Sequence, residues 1–127
     1  MSTELDQRWL ELVAAGRAEW SPGMLLRNAD GPVRIDAVDG SCPGVLRRCR
    51  YTNEVYVADV RCGPRLHWDD PATLGALLGQ VRTRRNDPAA HLVPDGDWHV
   101  RGDLPWAQYG TGDTEAAALL DALEVAP

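Results

Sequence analysis

The stretch opened by Asp70-Pro71 constrains the fold more than any other part of the chain. Aspartate is a good N-cap, because its carboxylate can accept a bond from an otherwise unpaired N–H of the first turn. Proline suits the first helical position, where a missing N–H costs nothing. Leu74, Leu77, Leu78 and Val81 then follow as one apolar stripe at helical period. Arg82, Arg84 and Arg85 close the segment, where positive charge complements the helix dipole. Gly75 and Gly79 interrupt it, each costing about 1 kcal/mol relative to alanine in a helix interior. Close approach of a strand or a second helix is the expected compensation.

Two more helices flank this one. Leu5, Trp9, Leu12 and Val13 give an apolar stripe over residues 3–15, with Thr3 and Asp6 resembling a capping box and Gly16 as the stop. Ala116, Leu119, Leu120 and Leu123 give another, starting near Asp113 and ending near Glu124. Between the helices lie hairpin patterns. Residues 23–27 and 33–38 are separated by the turn sequence Asn28-Ala29-Asp30-Gly31-Pro32. Residues 45–51 and 54–61 are separated by Thr52-Asn53, and residues 98–101 and 106–109 by Gly102-Asp103-Leu104-Pro105. Short turns imply antiparallel pairing. The expected fold is therefore α+β, an antiparallel sheet of four to six strands in two or three hairpins with about three helices packed on it. With no internal repeat or low-complexity linker, residues 1–127 read as one domain.

No apolar run approaches the roughly 20 residues needed to span a bilayer, and the first residues lack the apolar core of a signal peptide. The expected setting is the cytoplasm, without membrane association. Cys42, Cys49 and Cys62 are an odd set without a secretion signal and are expected as free thiols. With His67 they lack the close ligand pairs that zinc sites require, so no metal and no other cofactor is expected.

The net charge is −6, but it is uneven. Residues 41–65 hold five arginines against two acids, while the segments on either side are acidic. Every basic residue is arginine, there is no phenylalanine, and Ile35 is the sole isoleucine. The codons of the missing residues are AT-rich, so a GC-rich genome explains the arginines without any binding role. The basic island nevertheless gathers Arg47, Arg48, Arg50, Arg61 and Arg65 near Tyr51, Tyr56 and Trp68. Guanidinium groups hold carboxylate and phosphate, and the rings can stack. This constellation is the candidate protein- or anion-binding site, with ordinary solvated arginines as its alternative.

Other patterns have simpler explanations. Gly110-Thr111-Gly112-Asp113-Thr114 lacks the lysine of a phosphate loop, and capping of the following helix accounts for it. Val93-Pro94-Asp95-Gly96-Asp97, between His91 and His99, reads as a turn rather than an acid–base or metal site. No nucleophile has an oriented base, so no catalytic residue is assigned and the chain reads as a non-enzyme. Trp68, Trp98 and Trp106 flank turns, either as interface anchors or as core filler.

Three stretches together carry a resemblance: Trp20-Ser21-Pro22-Gly23-Met24, Asp70-Pro71-Ala72-Thr73-Leu74-Gly75 running into Leu77-Leu78, and Gly112-Asp113-Thr114-Glu115-Ala116 running into Leu119 and Ala122-Leu123-Glu124. Their order and spacing resemble small proteins of bacteriophages and prophages of GC-rich bacteria, a group without an assigned activity. The resemblance covers about a third of the chain in pieces and breaks off between Asp39 and Leu66. It implies a phage or prophage origin and little else. Together with the lack of a catalytic constellation and the basic hairpin within an acidic domain, it leads to the expectation of an accessory protein that binds a host or phage protein, host-defence components included. A homodimer stays open, and a nucleic-acid or nucleotide-signal module using the 45–61 hairpin is the alternative.

Overall fold

The fold is given by a computed structural model, which describes residues 2–27, 33–35, 37–38, 44–48, 55–59 and 65–125. It has an α+β architecture. In chain order come α1 (Ser2–Ala14), β1 (Leu25–Arg27), β2 (Val33–Arg34), β3 (Ala37–Val38), β4 (Gly44–Arg48), β5 (Val55–Asp59) and β6 (Arg65–Leu66). Then follow α2 (Pro71–Arg85), β7 (His91–Asp95), β8 (Asp97–Arg101), β9 (Gln108–Gly112) and α3 (Glu115–Glu124). Among the described residues the strands form three antiparallel sheets of three, in the orders β2-β1-β6, β3-β4-β5 and β7-β8-β9. No helix of the described residues is long and apolar enough to cross a membrane.

All three expected hairpins pair antiparallel, but their limits differ in informative ways. The segment 33–38 is two strands in two sheets rather than one. Residues 93–97 are not simply a turn, because β7 runs through Val93 and Pro94 to Asp95 and pairs with β8 up to Asp95 opposite Asp97. Proline, which cannot donate a ladder bond, is tolerated here because β7 is an edge strand. The turn itself shrinks to Gly96, with φ of +74°. The last strand begins at Gln108, leaving Trp106 in the preceding turn.

The α2 cap forms as its sequence predicts, since Asp70 Oδ2 accepts the Thr73 N–H at 2.9 Å. Two further bonds tie this cap to a sheet. Arg34 of β2 pairs with Asp70 at 3.2 Å, and the buried Thr73 hydroxyl accepts the Leu25 N–H at 2.9 Å. Arg34 holds the Asp70 carboxyl below its ordinary range, assisted by the Thr73 donors. At the start of α3 the cap is Thr114, not Asp113 as the acidic sequence suggests; its hydroxyl accepts the Ala117 N–H at 3.1 Å. Asp6 does not close a capping box in α1 either. It turns inward, with Arg27 Nη2 at 2.7 Å from both carboxylate oxygens and the Trp68 indole N–H donating at 2.8 Å.

α3 lies at the centre. Seven of its residues are buried, and it packs against β9, β8, α1 and α2. With no phenylalanine available, the core is filled by Trp9, Trp20, Met24 and leucines from every helix and from β1 and β6. Trp9 sits edge-on to Trp20, with ring centroids 5.4 Å apart, and edge-on to Trp68 at 6.3 Å.

The glycines divide into two kinds. A Cβ on Gly75 or Gly79 would meet nothing within 4 Å, so the close approach expected along α2 does not occur there. It occurs between β9 and α3 instead. A Cβ on Gly110 would stand 2.5 Å from Ala118 O and Ala122 N, and one on Gly112 would stand 2.6 Å from the Ala117 Cβ. The Gly110–Thr114 segment is thus a strand pressed onto a helix, with Thr114 as its cap. Gly110→Ala is expected to destabilise the fold by about 3 kcal/mol, because the added methyl meets backbone that cannot turn aside. Gly75→Ala is expected to stabilise it by up to about 1 kcal/mol. Urea denaturation of the two variants checks both signs.

Candidate functional site

Three surfaces compete as the functional site. The first is the arginine constellation. Arg47 and Arg48 lie on β4 and Tyr56 on β5, and the register sets Arg47 opposite Tyr56 and Arg48 opposite Val55. Consecutive strand positions alternate between faces, so positions 47 and 56 share one face and position 48 belongs to the other. Arg50, Arg61, Tyr51 and the three cysteines lie outside the described residues. Arg65 and Trp68 are described, and both turn toward Asp6: Arg65 Nε is 3.9 Å from Oδ2, and Trp68 donates to Oδ1. Among the described residues no cluster of histidine, cysteine and carboxylate could hold a metal ion.

The second surface is a cleft of about 460 Å³. Leu5 of α1, Arg27 of β1, Trp68 and Asp69 before α2, Trp98 of β8 and Glu115 of α3 line it. Trp98 reaches it from β8, where its neighbours across the sheet are Pro94 and Gly112. Neither neighbour carries a tall flexible side chain. Of the lining residues, the sequence singles out Trp68 as a candidate binder, His67 as a zinc partner weighed and set aside, and Trp98 as a tryptophan beside a turn, interface anchor or core filler. Their meeting with the start of α3 is a product of tertiary structure.

The third surface is the β8–β9 turn. Leu104 is 49% exposed and Trp106 is 77% exposed, the most exposed large apolar side chain among the described residues. The turn that carries them is braced. Asp87, just after α2, accepts the Asp103 N–H at 3.0 Å and the Tyr109 hydroxyl at 2.6 Å through Oδ2, and the Ala89 N–H at 3.0 Å through Oδ1. Gly102 passes so close to Asp87 and Tyr109 that a side chain there would strike both. The Arg85 guanidinium lies 4.7 Å from the Tyr109 ring centre, a cation–π contact that steadies the phenol. The turn also closes on itself, since the Gly102 N–H donates to Ala107 O and the Ala107 N–H to Leu104 O, each at 2.9 Å. The sequence marked a turn here, but nothing in it points to Asp87 as the brace.

Hydrogen bonding perturbs both partners of the brace. The Tyr109 hydroxyl, with the Asp103 N–H behind it, holds the Asp87 carboxyl below its ordinary range. The same bond, with desolvation adding to it, raises the Tyr109 phenol above its ordinary value. Comparison with protein-family models, curated proteins and solved structures finds no match to the chain.

The brace sets a pH window for the turn. A depressed carboxylate contributes stability above its unfolded pKa and loses it as pH falls through the folded value. A raised phenol contributes below its unfolded pKa and loses it as pH rises through the folded value. The Trp106 indole NMR signal is therefore expected to shift in two steps, one below about pH 4 and one above about pH 10. Asp87→Asn should abolish the acid step while leaving the buried Trp9 signal in place. An acid step at Trp106 that survives this substitution would contradict the assignment.

Proposed function

We propose that the chain is a non-enzymatic phage or prophage accessory protein that acts by binding another protein, with host components, defence machinery included, as the partner class. The observation that supports this reading best is Trp106, an exposed indole on a turn held rigid from below. Truncation hot spots in protein interfaces are enriched in tryptophan. A braced turn also lowers the ordering cost that a flexible loop would add on binding. Leu104 adds apolar area beside it. The phage setting and the host partner rest on the sequence resemblance. Against the nucleic-acid alternative stands the net charge of −6, which disfavours long-range attraction to a polyanion.

The test compares the wild-type chain with Trp106→Ala as baits in quantitative capture from host lysate. Trp106 is exposed, so the variant should unfold at the wild-type denaturant concentration within error. A host protein enriched by the wild type and reduced about tenfold or more by the variant is the expected outcome. Equal enrichment by both baits, or retention of nucleic acid alone, would contradict the proposal.

A further inference from the structure

The cleft lined by Trp68 and Trp98 has a chemistry of its own, separate from the Trp106 turn. Its volume falls within the range of sites that hold small ligands or single side chains. Its aromatic wall is set in advance. Trp68 is held by its bond to Asp6 and by its T-shaped contact with Trp9. No ligand is needed to place that ring.

Its charge is one-sided. Asp69, Asp113 and Glu115 line the cleft, and among the described residues none of these carboxylates takes part in a hydrogen bond or ion pair. Two of them flank Thr114, which performs the capping of α3, so that cap requires neither. Arg27 also lines the cleft, but its charge is engaged elsewhere. Its Nη2 lies 2.7 Å from both oxygens of Asp6, and its Nε donates to Leu66 O at 2.8 Å. His67 is the remaining titratable group of the lining. Three uncommitted carboxylates thus stand around two indoles, against the one positive charge of Arg27, which Asp6 already engages.

We propose that this cleft binds an organic cation, a guanidinium or alkylammonium group seated against the indoles and paired with Asp69, Asp113 and Glu115. Indole faces attract such cations through the ring quadrupole. The planar guanidinium adds stacking on the ring and paired bonds to a carboxylate. Inorganic cations gain little from an apolar aromatic wall, and anions are repelled by the carboxylates. The site goes beyond the Trp106 anchor and does not depend on it.

The experiment is an NMR titration of the intact chain, following the Trp68 and Trp98 indole signals. Three probes are used: N-acetyl-arginine amide, agmatine, and N-acetyl-citrulline amide as the neutral isostere. Both cations are expected to saturate with a Kd on the order of 1 mM, weakened by added salt. The citrulline compound should bind at least about tenfold more weakly. Tighter binding of the arginine amide than of agmatine assigns the cation to a side chain presented by a protein; the reverse assigns it to a free amine. The double variant Asp113→Asn/Glu115→Gln should lose about fivefold or more in affinity while keeping its thermal midpoint, as should Trp98→Leu if it folds. Trp106→Ala should bind as the wild type does, which separates this site from the protein-binding anchor. Equal binding of the citrulline amide, no saturable shift at Trp68 and Trp98, or unchanged affinity in the carboxylate double variant would overturn the proposal.

Discussion

The Asp6 carboxylate is the interaction on which the described structure turns. It sits on α1 with a side chain only 10% exposed, a costly place for a charge unless donors surround it. Arg27 brings β1 to it, Trp68 brings the segment after β6, and Arg65 stands at the outer edge. One carboxylate therefore joins the first helix to the sheet β2-β1-β6 and to the turn that leads into α2. Trp68, once fixed there, packs edge-on against Trp9, which carries the arrangement into the core. Trp68 also lines the cleft, so the fold and the proposed cation site share a single support.

A second constraint follows from composition. A chain without phenylalanine and with one isoleucine draws the bulk of its core from leucine and tryptophan. It also brings backbone close. The alanines of α3 and the glycines of β9 let helix and strand approach until no Cβ fits between them. Dispersion contacts at such short range replace part of what bulky side chains would supply. The approach also brings Asp113 and Glu115, at the end of β9 and the start of α3, to the cleft edge beside Trp98.

The helices were legible because caps and periodicity are local. Asp70-Pro71, the leucine stripe and the arginine-rich end predict α2 almost to the residue, and Asn86 supplies its left-handed close. β7 was not legible, because Pro94, Asp95 and Gly96 carry turn chemistry and only the edge position of the strand reconciles them with pairing. β6 is two residues long and exists through its partner β1. Glycine shows the limit most plainly: Gly75 and Gly110 look alike in sequence, yet one faces open space and the other a helix backbone. The cleft was illegible for a related reason. Leu5, Arg27, Trp68, Trp98 and Glu115 are spread over nearly the whole chain and share no motif. The basic segment drew attention because charge clustering is visible in one dimension, whereas convergence of acids and indoles is not.

A double-mutant cycle on Asp6 and Arg27 tests the central claim most directly. Asp6→Asn, Arg27→Met and the combined variant would be compared with the wild type by equilibrium urea denaturation. Asparagine retains an acceptor for Trp68, so the cycle isolates the charged partnership between the helix and the sheet. The expected result is a coupling of about 2 kcal/mol, with each single variant destabilised and the double variant little worse than either. Additive effects, with a coupling below about 0.5 kcal/mol, would show that Asp6 and Arg27 do not hold these elements together.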